Sequence, residues 1–339
     1  METRATPIED HALAGPERAR RRALVWLAAL SGGPWLGACS EPLSPLRVGA
    51  IVFPGYELMF LARDLGLLDE HQIRLVELVS STDTLRALAA GRLEAAAMTI
   101  DEVMTARADG IDLRVVLVFD VSAGADAVLA HPAIRSLQEL AGKRIGVEDS
   151  ATGVVMFDAL LAAAQLRVDQ VTKVAITVDR SLDVYEDREV DAVVTFEPWA
   201  GRLESAGAVR LFDSKAVPER IVDVLAVRAE FMASHAAPLR QLVAAHLSAR
   251  RHLKDQPADA YRRLAPRLQL RPADVAQAFR GLDLPDAEQN RAMLRAGGRF
   301  DHAVQTIQKL MVEGGLLGTA AGVADLVDAR FLPGGGTAR

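Results

Sequence analysis

Leu46-Arg47-Val48-Gly49-Ala50-Ile51-Val52-Phe53-Pro54-Gly55-Tyr56-Glu57 joins an apolar run of β type to a forced turn. The run reads as a buried strand, and Pro54 and Gly55 end it, leaving two aromatic rings and a carboxylate at its carboxyl end. Leu58, Leu61, Ala62, Leu65 and Leu68 then recur at helical spacing, with Gly66 late enough to weaken or end the helix. Ile73 to Val79 reads as a second strand. Ser80-Ser81-Thr82-Asp83 supplies N-cap residues ahead of Leu85, Leu88 and Ala89, and Gly91 stops that helix. Leu93 to Met98 is another short strand, which delivers Thr99, Asp101 and Glu102 to its end. Alternating strand and helix of this kind predict an α/β fold with mostly parallel sheets flanked by helices.

The pattern repeats. Arg47-Val48-Gly49-Ala50 returns as Arg144-Ile145-Gly146-Val147, and Leu93-Glu94-Ala95-Ala96 returns as Val190-Asp191-Ala192-Val193, at the same interval. Two related lobes are the reading; chance likeness among short apolar strands is the alternative. Length agrees, because about 300 residues beyond the N-terminal segment exceed what one compact core usually holds.

That N-terminal segment has the order of an export signal. Arg18, Arg20, Arg21 and Arg22 precede an apolar run from Ala23 to Leu30, which is too short to span a bilayer. Small residues follow, up to Leu36-Gly37-Ala38-Cys39, which resembles a bacterial lipobox. Cys39, the sole cysteine, is therefore expected to be lipidated and to become the anchored N-terminus of a periplasmic or cell-surface lipoprotein. An ordinary cleavable signal before an unmodified thiol stays open. The net charge of −6 and the lack of a basic cluster after the signal leave no footprint for nucleic acid. No thiolate metal cluster can form, and the scattered histidines never sit at ligand spacing, so neither metal nor cofactor is expected.

Five motifs in order carry a family resemblance. They are Gly55-Tyr56 before a helix, Gly91-x-Leu93-Glu94-Ala95-Ala96, Gly124-Ala125-Asp126, Ser136-Leu137-x-x-Leu140-x-Gly142-Lys143-x-Ile145-Gly146-Val147, and Val190-Asp191-Ala192-Val193-Val194. Together they resemble solute-binding proteins of ABC importers, in the nitrate, sulfonate and taurine branch that also includes binders of thiamine-precursor pyrimidines. The resemblance implies a type II periplasmic-binding-protein fold whose two lobes trap a ligand by hinge closure. It implies a permease and its ATPase as partners, a monomer, and no catalysis. Residues 1–38 are then the signal and 39–45 a lipid-anchored tether. Residues 46–120 begin the first lobe, 121–222 form the second, 223–331 return to the first as helices, and 332–339 are a disordered tail. The crossings are expected near Val118 to Asp126 and Ile221 to Val227.

Ligands of open α/β sheets lie beyond the carboxyl ends of the strands. The candidate ligand contacts are accordingly Phe53, Tyr56, Glu57, Ser81, Thr82, Asp83, Thr99, Asp101, Asp126, Glu148, Ser150, Thr152, Glu197 and Trp199. Each has a plain structural reading as well: core packing for the rings, helix capping for the small polar residues. Acids collect at these turns and no Arg or Lys does, which disfavours a buried anion and points to a neutral or amine-bearing ligand, such as a pyrimidine. Two other classes stay open: a ligand-sensing adaptor for a membrane signalling partner, and an enzyme of thiamine-pyrimidine synthesis on the same scaffold.

Overall fold

The computed structural model describes residues 44–318 and 323–334. The expected signal, Cys39 and most of the tether lie outside the described residues, as does 335–339.

The first stretch alternates as read: β1 (Leu46–Ala50), α1 (Pro54–Asp64), β2 (Ile73–Glu77), α2 (Ser81–Ala89), β3 (Ala95–Thr99), α3 (Ile100–Ala108) and the long β4 (Leu113–Ser122). Pro54 starts α1, where a missing N–H costs nothing, and the Ser80 hydroxyl caps α2 by accepting from the Asp83 N–H at 3.2 Å. The chain then builds β5 (Asp126–Ala130), β6 (Arg144–Glu148), α4 (Ala151–Ala164), β7 (Thr172–Ile176), α5 (Ser181–Glu186), β8 (Ala192–Phe196), α6 (Trp199–Ser205) and β9 (Val209–Asp213). It returns through β10 (Val222–Arg228) and continues as α7 (Ala236–Asp255), α8 (Pro257–Leu268), α9 (Pro272–Phe279), β11 (Leu282–Asp283), α10 (Ala287–Met293) and α11 (Arg299–Glu313).

Two sheets result, in the orders β11-β4-β10-β3-β1-β2 and β7-β6-β8-β5-β9. In the first, β1 runs parallel to β2 and β3, while β10 lies antiparallel between β3 and β4. In the second, β6 runs parallel to β7 and β8, while β5 lies antiparallel between β8 and β9. The sheets are thus mixed, because each takes in one strand that runs on from a crossing between lobes. The chain crosses between Ser122 and Asp126 and comes back between Asp213 and Val222, so the expected return run is itself a strand of the first sheet.

The internal repeat is structural. Val48 pairs with Ala95 and Gly49 with Ala96, and their counterparts Ile145 and Gly146 pair with Ala192 and Val193. Glu94 accepts from the Arg47 backbone N–H at 2.7 Å, and Asp191 accepts from the Arg144 N–H at 2.8 Å. Each arginine also reaches a carbonyl three residues before its acid, Gly91 at 2.9 Å and Arg188 at 2.7 Å. In both β1 and β6 glycine lets a neighbouring side chain lie close: a Cβ on Gly49 would lie 2.5 Å from Leu93 Cδ1, and one on Gly146 would lie 2.9 Å from Ile176 Cδ1, so each of those side chains would have to move.

Strand alternation sorts the second sheet into two cores. Val128, Val147 and Val194 face α4, with Met156 and Leu160; Ala127, Leu129 and Val193 face α5 and α6, with Tyr185 and Leu203. One larger core joins the first sheet to the C-terminal helices, where Leu239, Leu242, Phe300 and Ile307 are all buried. Leu332, at the start of the expected tail, is also buried in it.

Candidate functional site

The carboxyl ends of the parallel strands β1, β3, β6, β7 and β8 and the amino ends of the antiparallel β5 and β10 converge on one crevice. It encloses about 580 Å³ of empty space, open mouth included. From the first lobe it is lined by Ile51, Phe53, Tyr56, Ser81, Thr99, Glu102 and Asp223. Asp126 and Ile221 come from the two crossings. The second lobe supplies Glu148, Ser150, Thr152, Gly153, Met156, Ile176, Val178, Val194, Thr195 and Phe196.

Eight of the sequence candidates therefore meet there: Phe53, Tyr56, Ser81, Thr99, Asp126, Glu148, Ser150 and Thr152. The Phe53 ring stands edge-on to Tyr56 at 5.1 Å and to Phe196, from the other lobe, at 5.6 Å. The Tyr56 hydroxyl donates to Asp223 Oδ1. The Ser150 oxygen caps α4 by accepting from the Gly153 N–H at 3.1 Å.

The lobes touch across this crevice. Thr152 Oγ1 donates to Asp101 Oδ2 at 3.0 Å and lies 2.8 Å from Thr99 Oγ1, while Thr82 Oγ1 donates to the Asp149 carbonyl at 3.2 Å. Asp101 and Thr82 thus join the lobes rather than line the space.

Four candidates are placed elsewhere, each with a physical reason. Glu57 is fully buried on the far side of α1 and accepts two bonds from Arg267, whose guanidinium also covers the Phe60 ring at 3.6 Å. Glu197 is held by Arg210 at 3.0 Å and by the Gly201 N–H at 3.0 Å. Asp83 is solvated and lies 3.4 Å from Arg86. Trp199 starts α6, where the Arg202 guanidinium sits 4.1 Å over its ring.

Three further acids complete the cluster: Glu102, read at the end of β3 but not among the ligand contacts, and Asp120 and Asp223, which no turn motif marked. Asp223 and Asp120 are register partners at an irregularity between β10 and β4, so two carboxyl groups meet in the core. Glu102 caps α3 by accepting from the Thr99 N–H at 3.0 Å, lines the crevice, and leaves its other oxygen buried without a hydrogen bond. The signal in the sequence was a lone acid inside an apolar strand, as in Val118-Phe119-Asp120-Val121 and Val222-Asp223-Val224.

Burial dominates the charge state of this cluster. It pushes Glu102 up to about 8, helped by the neighbouring Asp101 charge, and Asp126 up to about 8, helped by Asp223. Glu148 rises to about 7 and Asp223 to about 7, again chiefly through burial. Asp120 is held well above the carboxylate range by burial and by Asp223, since two facing carboxyls cannot both ionise. Glu102 Oε1, Asp126 Oδ2 and Glu148 Oε1 have no hydrogen-bond partner among the described residues. No Arg, Lys or His lines the crevice among the described residues. Nor do they contain a group of acids, cysteines and histidines that could hold a metal ion.

Comparison with known proteins agrees with this architecture. The alkanesulfonate-binding protein SsuA of Xanthomonas axonopodis pv. citri, bound to MOPS, superposes with a TM-score of 0.69 at 20% identity, covering 85% of this chain and 99% of that one. The periplasmic nitrate-binding protein NrtA of Synechocystis PCC 6803 gives 0.67 at 12% identity, covering 85% and 87%. The desulfurization enzyme DSZB shares the fold as well, with 0.60 at 20% identity, covering 84% and 97%. No curated protein matches the sequence significantly. Residues 56–260, more than half of the chain, match the family described as NMT1/THI5 like, and the chain belongs to that family.

Proposed function

We propose that the protein is the extracytoplasmic solute receptor of an ABC importer, anchored through Cys39, which captures a small organic molecule between its lobes and hands it to a permease. One observation carries the reading: the carboxyl-rich crevice draws its lining from both lobes, so a ligand bound there favours the closed state over the open one. The binding proteins of similar fold support it. On this reading residues 46–120 and 223–331 form one lobe and 121–222 the other.

The crevice chemistry selects against nitrate and sulfonates. An anion buried beside Glu102, Asp126 and Glu148, with no cationic side chain on the wall, loses its hydration without gaining a positive charge in return, and meets repulsion from any of the three that ionises. Apolar walls from Phe53, Phe196, Met156 and Val178 suit the body of an amine-bearing or heteroaromatic molecule.

Thermal unfolding against aminopyrimidines, polyamines, amino acids, taurine and nitrate tests the proposal. A ligand at 100 times its dissociation constant adds about 2.7 kcal/mol of apparent stability. A raised midpoint with amine-bearing compounds is expected. Silence across the panel would remove the receptor reading. The desulfurization enzyme of like fold keeps catalysis as a second reading, which turnover of the bound compound would establish.

A further inference from the structure

The crevice holds more acids than it can keep charged. Tyr56 of α1 stands among Glu102 of α3, Asp120 of β4 and Asp223 of β10, and Asp101 of α3 adds its charge to Glu102 and Asp223. Asp126 of β5 adjoins Asp223 and feels Asp101 and Glu197; Asp283 of β11 faces Asp120. Across the crevice, Glu148 of β6 feels Asp83, Asp149 and Asp179. The nearby cations are committed elsewhere. Arg267 holds Glu57 and Glu77, Arg210 holds Glu197 and Glu204, Arg299 holds Glu219 and reaches Asp283 at 3.6 Å, and Lys173 holds Asp149. Within this cluster Glu102, Asp126 and Glu148 line the crevice, are 2%, 4% and 6% exposed, and each keeps one buried oxygen without a hydrogen-bond partner.

Three such oxygens, one from each lobe and one from the crossing between them, outline a receptor for hydrogen-bond donors. We propose that the ligand is a small organic cation, an ammonium or amidinium head on an apolar body, which enters in exchange for protons held on Glu102, Asp126 and Glu148. The proposal rests on the receptor reading and adds the charge of the ligand and the proton that leaves. No covalent bond changes: each displaced proton passes to water, and the carboxylate it leaves pairs with the cation. Without a cation these groups keep protons near neutral pH, Glu102 and Asp126 mostly and Glu148 in part, since burial, helped by neighbouring carboxylates, holds the first two at about 8 and Glu148 at about 7. Because the three acids come from both lobes and the crossing, the exchange can complete only when the lobes are shut.

The sign follows from linkage. A cation that displaces one proton binds up to tenfold more tightly per pH unit, until the pH exceeds the value at which the free carboxyl ionises. Isothermal titration of the full-length protein at pH 5.5, 6.5 and 7.5, in two buffers of different ionisation enthalpy, reads both affinity and protons released. The probes are benzamidine and its neutral isostere benzamide, with putrescine and taurine alongside. Benzamidine or putrescine should bind more tightly as pH rises, with heats that differ between buffers, and benzamide should bind on the order of tenfold more weakly or not at all. Glu102→Gln and Asp126→Asn should each reduce the protons released; their melting curves check that both variants fold. Equal binding of benzamide and benzamidine, or an affinity flat with pH in both buffers, would overturn the exchange and leave the receptor standing. Binding of taurine alone would do the same. Silence to every probe, and to nitrate, would remove the receptor reading and the exchange with it.

Discussion

Arg267 shows how one side chain decides the role of another. Its guanidinium closes over Glu57, 210 positions away in sequence, and over the Phe60 ring, so a carboxylate that sits among the turn residues of β1 belongs to the packing of α1 against α8. Arg267→Met should cost about 3–5 kcal/mol in urea unfolding, because Glu57 loses its partner in the core and must stay charged there or take up a proton, and the double variant with Glu57→Gln should recover much of it. A loss under 1 kcal/mol would mean that water reaches Glu57. The sequence placed Glu57 and Glu197 with Asp126 and Glu148, since all lie near strand ends, and it could not show which had a distant arginine. Capping serines and the rings of Phe53 and Tyr56 were legible from local pattern, whereas Phe196 was passed over for Trp199, three residues on, which lies outside the crevice. Asp223 and Asp120 were not legible, because their pairing depends on the strand register between β4 and β10.

At the scale of elements the repeat makes a comparison within one molecule. Glu94 is 2% exposed and ties the β1 backbone to the entry of β3, whereas Asp191 makes the matching bond at 29% exposure. Glu94→Ala should therefore cost about 1–3 kcal/mol and Asp191→Ala less than about 1 kcal/mol by chemical unfolding; equal losses would deny that burial separates the copies. The crossing strand has its own constraint. A Cβ on Gly281 would stand 2.4 Å from the Ala125 backbone nitrogen, and the Ala123 N–H donates to the Gly281 carbonyl at 2.8 Å. Gly281→Ala is expected to lower stability by about 1–3 kcal/mol and to weaken ligand binding by displacing Asp126; unchanged affinity would free the crossing from that role. Strand and helix order were readable from periodicity, and the matched places of Gly49 and Gly146 from the repeat. The antiparallel insertion of β10 and β5 was not, because direction within a sheet leaves little trace in a short apolar run.

The whole molecule should carry its acids as a dependence on pH. Glu102, Asp126, Glu148 and Asp223 are held up to about 7–8 when folded, against an ordinary carboxylate value in the unfolded chain. Their contribution to stability is complete below the unfolded value and is lost as pH rises through the folded one. Asp259, lowered to about 2 by Arg263 and His252, acts in the opposite sense at strongly acid pH. Urea midpoints should thus be higher at pH 5 than at pH 8, and a midpoint that climbs steadily to pH 8 would show that the crevice acids ionise freely. Strand order sets one more constraint, in the time of synthesis. Every strand of the second sheet lies between Asp126 and Asp213, so that sheet can close as soon as it clears the ribosome. The first sheet cannot, because β10 fills the slot between β3 and β4 and is made last of the three. A nascent chain stopped before Val222 would carry one finished sheet and one gapped sheet with two bare edges, open to pairing with the next chain that emerges.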